Sequence, residues 1–238
     1  MVPIEIGPQE ARQFSLLVKR AGADPTTFKL RKLADPAGKG FKVRVAGRGA
    51  ATVYDTAESQ AWLPMFNADV ERGLFGTEGT PLPPAAMAKA LFDAESSLAQ
   101  GGLSGLLDFL NTRVVHRFTA LYRLDGPVLR NVAVHDKHKH LDALDLKVVP
   151  LKDSFCQFVL RDGLFLTPGS GEDERLKGHP YSGIVGSYVG VPVSTQGGAL
   201  RGTLCHFDLV DHEVSDDEFL FLERAAGLLP LYLQSGPV

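Results

Sequence analysis

The run Thr77–Pro84, Thr-Glu-Gly-Thr-Pro-Leu-Pro-Pro, most constrains what this chain can fold into. Three prolines and a glycine fall within it. Proline lacks a backbone donor and fixes φ, so the run resists both a helix and a central strand. It predicts a linker over 77–84, between a small unit at 1–76 and a larger one at 85–238. The 238 residues suit one or two domains of ordinary size. No apolar run approaches the ~18 residues that a membrane span needs. Met1–Gln9 lacks the basic region and apolar core of a signal peptide.

Charge bears on partners. The net charge of −3 gives the whole molecule no electrostatic footprint for nucleic acid. The distribution is uneven: Met1–Arg48 holds ten Lys/Arg and four Asp/Glu, net +6, which leaves −9 for the rest. This basic stretch could meet an acidic partner. No aromatic stacking set accompanies it, so a solvated basic surface is the plainer reading. Two cysteines, Cys156 and Cys205, do not make a disulfide framework at this length. A soluble protein of a reducing compartment, the cytoplasm, is expected.

In the first unit, residues 9–22 read as a helix, with Phe14, Leu17 and Val18 on one stripe and Gly22 as its stop. Phe41–Val45 alternates apolar and basic residues as a half-buried strand. Gly47–Gly49 turns it into a second strand, Ala51–Tyr54. Glu58–Arg72 reads as a helix with Trp62, Phe66 and Val70 on one face and Pro64 near the first turn, where proline is tolerated. The unit is a small α+β assembly of unread role.

In the second unit, Pro84–Gln100 carries Met87, Leu91, Ala94 and Leu98 at helical spacing. Gly101-Gly102 interrupts it, and Leu103–Thr112 continues. Arg117–Leu124 alternates cleanly, with Phe118, Ala120, Tyr122 and Leu124 on one face. It turns at Asp125-Gly126-Pro127 into Val128–Val134. Residues 135–150 look irregular. Ser154–Arg161 is a short helix candidate, with Asp153 or Ser154 as N-cap and Gly163 as stop, followed by a strand at Leu164–Thr167. Pro168–Gly186 is polar and glycine-rich, a long loop of the kind that is often functional. Two strong strands, Ser187–Val193 and Leu200–Leu209, flank the turn Gln196-Gly197-Gly198. A last helix starts at a capping box, Ser215 and Glu218. Its stripe is Phe219, Leu222, Ala226, Leu229 and Leu233, and Pro230 bends or ends it.

Four blocks in this order resemble the GAF domain family: Asp153–Gly163; Gly178-His179-Pro180 with Tyr188–Val193; Gly202–Asp208; and Ser215–Glu218 with its apolar helix. The resemblance covers about residues 84–234 and leaves the first 80 unassigned. It implies an α+β fold: a central antiparallel sheet with helices on one face and a loop-covered pocket on the other, preceded by the small α+β unit. It also implies a small-molecule sensor in signal transduction, with no catalytic residue or metal and with no cofactor named. The expected partners are an unidentified small-molecule ligand, a second copy of the chain and a separate signalling partner, without membrane or nucleic acid. No output domain is read after the last helix.

Carried onto this chain, the pocket is bordered by Phe155, Cys156, Phe158 and Val159 on the short helix. Tyr188 and His206 join from the sheet, and His179 and Tyr181 from the loop. The N-terminus of the short helix would suit an anionic group. Phe155, Phe158 and Val159 read equally well as plain core. The family includes free methionine-R-sulfoxide reductases, and Cys156 near a helix start could have a lowered pKa. A reductase-like thiol enzyme is therefore one alternative, and a non-binding interaction or dimerisation module is the other. His135, His138 and His140 with Asp136 form a cluster in which only His138 and His140 would share a strand face; an exposed polar loop is the expected reading. Neither the Asn-Lys-x-x-x-Phe-x-x-x-Asp-Glu signature of phosphodiesterase members nor the bilin motif of phytochromes is present.

Overall fold

A computed structural model describes residues 2–34, 40–56, 61–75, 85–138, 147–195 and 197–233. The chain divides into two compact units, Met1–Leu82 and Pro83–Val238. The expected linker at 77–84 lies outside the described residues, as does His140.

The first unit runs β1 (Val2–Ile4), α1 (Pro8–Arg20), β2 (Phe28–Ala34), β3 (Phe41–Gly47), β4 (Ala50–Asp55) and α2 (Trp62–Glu71). Its four strands are antiparallel in the order β1-β2-β3-β4. Arg48 and Gly49, both at positive φ, make the two-residue turn that matches the twist of a hairpin. The core is aromatic: Phe14, Tyr54, Trp62, Phe66 and Phe75 are buried with Val43 and Val45, and the Phe14 and Phe66 rings lie 4.8 Å apart.

Strands β1 and β2 are absent from the reading above. In β2 the core-facing positions are Phe28, Leu30 and Lys32, so a cation stands where the alternation calls for an apolar residue. Lys32 is accommodated because its Nζ donates to the Glu10 carboxylate at 2.8 Å and lies 4.0 Å from the Phe41 ring centroid. Trp62 Nε1 donates to the same carboxylate. Glu10 thus ties α1 to β2 and α2.

The second unit runs α3 (Ala85–Thr112), β5 (Phe118–Asp125), β6 (Val128–Asp136), β7 (Val148–Pro150), α4 (Cys156–Asp162), β8 (Phe165–Thr167), β9 (Ser187–Ser194), β10 (Leu200–Asp208) and α5 (Asp216–Ala226). The six strands are antiparallel in the order β7-β6-β5-β10-β9-β8. Helices α3 and α5 pack on one face of the sheet; α4 packs against β8, β9 and β10 on the other. This is the expected arrangement. Helix α3 breaks at Gly102 (φ 60°, ψ −155°), as the glycine pair suggested. No helix among the described residues is long and apolar enough to cross a membrane.

Several local expectations change. Residues 135–150 are not irregular throughout, because β6 runs to Asp136 and Val148–Pro150 pairs with it as β7. Neither Asp153 nor Ser154 caps α4. A 3-10 turn over Leu151–Asp153 precedes it, the Ser154 hydroxyl closes that turn on Leu151 O at 2.9 Å, and Phe155 takes the cap position without a side-chain bond. Gly163 (φ 78°) ends the helix as read. At α5 the Ser215 hydroxyl accepts the Glu218 N–H at 3.2 Å. The Glu218 carboxylate turns to the Arg113 guanidinium instead, with Nε donating to Oε2 at 2.9 Å; this joins the start of α5 to the end of α3. The loop 168–186 is packed rather than open. Leu176 is buried in the core, the Ser170 hydroxyl accepts Gly183 N–H at 2.8 Å, and Arg175 Nη2 donates to Leu166 O at 2.8 Å.

Beneath α3 lies a polar set. Asn111 Nδ2 donates to Thr119 Oγ1 at 2.8 Å. The Thr119 hydroxyl in turn lies 2.7 Å from His206 Nδ1. His116 sits 6.2 Å from His206 and 5.5 Å from His212 by ring centroids, and its Nδ1 has no hydrogen-bond partner among the described residues. Burial pushes His116 down to about 4 and His206 down to about 3.

Two outcomes follow. Glu10→Ala strips the charged partner from Lys32 and Trp62 and should cost about 2 kcal/mol. Urea unfolding followed through Trp62, the single tryptophan, measures it; an unchanged midpoint would refute the role of Glu10. Both buried imidazoles stay neutral in the fold, whereas the unfolded chain binds their protons once the pH falls below about 6.5. Stability should therefore decline as pH drops from about 6.5 towards 4. Melting temperatures taken across that range should fall less steeply in His116→Gln than in the parent.

Candidate functional site

Between the sheet and α4 lies a cavity of about 230 Å³. Its floor is made by Tyr122 of β5, Leu129 of β6, Tyr188 of β9, and Cys205 and Phe207 of β10. Ser154, Phe155 and Cys156 form the wall at the start of α4, and Val149 of β7 closes one side. Tyr181, Ile184 and Val185 from the loop, with Leu209, make the rim. Tyr181, Ile184 and Leu209 are exposed, so the mouth is apolar. Among the described residues, none of those lining the cavity is charged.

Strand parity decides which residues face it. Side chains alternate between the two faces of a sheet, so Thr203, Cys205 and Phe207 share one face of β10 while Leu204 and His206 share the other. His206 is therefore not in the pocket; it points beneath α3 to Thr119. Of the other expected residues, Phe155, Cys156, Tyr181 and Tyr188 line the cavity. Val159 is fully buried, and Phe158 packs on Phe165 with centroids 4.8 Å apart; both belong to the core behind α4. His179 stacks behind Phe155 at 4.7 Å, and burial lowers its pKa. At the N-terminus of α4, Phe158 N–H bonds Phe155 O at 3.1 Å and Gln157 N–H bonds Ser154 O at 3.3 Å, so these two donors are paired.

The lining residues missing from the sequence reading are Tyr122, Leu129, Val149, Ser154, Ile184, Val185, Phe207 and Leu209, with Cys205 named there only for its thiol. Tyr122 had a signal, the clean alternation of β5. Apart from Ser154, which was read only as a helix cap, the rest are apolar residues of the kinds that fill any core.

The cavity's polar groups converge on one sulfur. Thr203 Oγ1 donates to Cys156 Sγ at 3.2 Å and Tyr188 Oη lies 3.2 Å from it, while the Cys205 thiol, on the same strand face as Thr203, reaches Ala120 O at 3.7 Å. Cys205 first, then Thr203 and Tyr188, draw the Cys156 thiol down to about 7 against the opposing effect of burial. Cys205, the partner that keeps its proton, is pushed well up. Burial also raises Tyr188 well above its ordinary value, so this phenol is a donor. The sequence Tyr188-Val189-Gly190 builds this contact. A Cβ at position 190 would lie 2.4 Å from Tyr188 Oη, and its absence lets the ring lie back along the strand.

Among the described residues, the histidine cluster brings no set of ligands together. His135 Nδ1 lies 3.6 Å from Asp108, and the His138 N–H bonds the Asp136 carboxylate at 2.9 Å. No group of three or more His, Cys, Asp or Glu is placed to hold a metal ion among the described residues.

No family model and no curated protein matches the sequence. Solved structures do. The GAF domain of a phosphoenolpyruvate-protein phosphotransferase from Acinetobacter superposes with a TM-score of 0.51 at 14% identity, over 63% of this chain and 94% of that one. The corresponding GAF domain from Coxiella burnetii gives 0.50 at 17% identity, over 61% and 90%. A free methionine-R-sulfoxide reductase from Neisseria meningitidis, in complex with its substrate, gives 0.49 at 16% identity, over 64% and 92%. The unit Pro83–Val238 has the GAF fold.

Proposed function

We propose that this unit is a sensing module whose cavity takes a small, uncharged, largely apolar molecule. The observation that carries the reading is the lining itself: aromatic and aliphatic side chains, a few hydroxyls and two thiols around about 230 Å³, with no Lys, Arg, His, Asp or Glu. A ligand phosphate or carboxylate would lose its hydration there without an ionic partner, which is prohibitive. A cavity of ~150 Å³ is enough for one benzene, so a molecule of one or two rings fits this one. The hydroxyls of Tyr122, Ser154 and Tyr188 can orient a single polar group.

The reading is regulatory rather than catalytic. The floor strands β5 and β10 also carry α3 and α5 on their other face, so a ligand that alters their spacing biases those helices. We assign the output to a second copy of this chain or a separate signalling partner docking on the first half of α3. There Phe92 is 67% exposed, on a segment otherwise half-buried. A second reading, a thiol-dependent reductase, is favoured by the lowered pKa of Cys156. Free methionine sulfoxide is zwitterionic, however, and the uncharged lining is a poor match for it.

Thermal-shift measurements with indole and naphthalene against indole-3-acetate test the ligand class. The neutral probes should stabilise the unit, by about 2.7 kcal/mol at 100 times the dissociation constant, and the carboxylate should not. Val185→Trp, which fills the cavity from its rim, should abolish the shift. Equal stabilisation by the carboxylate, or a flat response throughout, would sink the reading. For the output face, sedimentation should find a dimer that Phe92→Asp converts to monomer; a parent that is monomeric at high concentration removes the self-association arm.

A further inference from the structure

Two cysteines from distant parts of the chain meet at the cavity wall. Cys156 stands on α4 and Cys205 on β10, on the strand face that also carries Thr203, whose hydroxyl bonds Cys156 Sγ at 3.2 Å. Both are free thiols and both are buried, yet both line the open cavity. As space-filling residues they would need no polar company. Instead Thr203, a fully buried hydroxyl, donates to Cys156 Sγ, and Tyr188 Oη reaches the same atom. Two hydroxyls on one sulfur can stabilise a thiolate, whereas the Cys205 thiol keeps its proton and directs it to Ala120 O.

We propose that Cys156 and Cys205 are a peroxide-reactive pair that closes reversibly into a disulfide across the cavity wall. Hydrogen peroxide is smaller than any ring-sized ligand and enters by the same mouth. The Cys156 thiolate attacks one peroxide oxygen; the S–O bond forms, the O–O bond breaks, and hydroxide leaves and takes up a proton as water. Cys156 is then a sulfenic acid. Cys205 gives up its proton and its sulfur attacks that of Cys156; the S–S bond forms, the S–O bond breaks, and the departing hydroxide takes the proton as a second water. The two thiols lose two electrons and two protons, and the peroxide gains them. Closure pulls α4 onto β10 and takes from Tyr188 and Thr203 the thiolate they bonded, so the cavity changes shape with the redox state. Because the chemistry involves the cysteines alone, it stands whether or not the cavity's ligand is apolar.

Intact mass of the full chain after graded hydrogen peroxide, in native buffer at neutral pH, tests it. The parent should lose two hydrogens and both alkylatable thiols, and dithiothreitol should restore them. Cys205→Ser should stop at a sulfenic acid on Cys156 that dimedone captures, whereas Cys156→Ser should leave Cys205 unmodified at the same dose. Thr203→Val, close in shape, should slow oxidation about tenfold at pH 7 and move its pH profile upward, because a donor to the thiolate is gone; a role in packing alone would leave the profile in place. The proposal is overturned if both thiols survive doses that oxidise free cysteine. It is equally overturned if oxygen accumulates in the parent without a disulfide, or if Cys156→Ser oxidises as fast as the parent.

Discussion

Strand β10 is covered on both faces, and every residue from Gly202 to Asp208 is buried. Burial of this kind is free for Leu204 and Phe207 but costly for any polar group left without a partner. Each polar residue of the strand accordingly has one. Thr203 donates to Cys156, His206 Nδ1 is hydrogen-bonded with the Thr119 hydroxyl, and the Asp208 carboxylate accepts the Arg117 N–H at 2.7 Å. These contacts reach opposite ways, to α4 on one side and to the end of α3 on the other. The strand is thus the shared wall of a cavity and a helix interface, and its period of two assigns each chemistry to its side.

That geometry also explains what could be read in advance. The alternation of β5, the paired strands β9 and β10, the glycine break in α3 and the stop at Gly163 are local signals, and the structure contains all of them. The resemblance to the GAF family rested on blocks in α4, β9 and β10, with the loop before β9 and the start of α5. Strand β2 was hidden because its third core position is Lys32, tolerated only through Glu10, a residue on another element. Strand β7 is three residues long, too short for a period to show. His206 was placed in the pocket by carrying the family's pocket onto the sheet, although the parity of β10 already set it on the face opposite Cys205.

The cavity lining was the least legible part. Leu129, Val149, Val185 and Leu209 are the residue types of any interior. Whether such side chains meet or leave a space depends on how a loop, a three-residue strand and a short helix come together over the sheet, and no periodicity records that. The absence of charge from the lining becomes informative only once the lining is known. The basic stretch of the first unit behaves in the opposite way: its alternation sends Lys29 and Arg31 to solvent while Lys32 turns inward, so net charge alone did not distinguish a solvated face from a structural ion pair.

The break in α3 has a mechanical consequence. Gly102 holds φ 60° and ψ −155°, a region that essentially only glycine occupies. An uninterrupted helix of these 28 residues would be a rod about 42 Å long. Residues 103–112 carry the buried Leu106, Leu107 and Leu110, whereas 85–101 form a separate arm set at its own angle. A methyl group at position 102 would be strained in this conformation, so the heading of that arm depends on the lightest side chain in the alphabet.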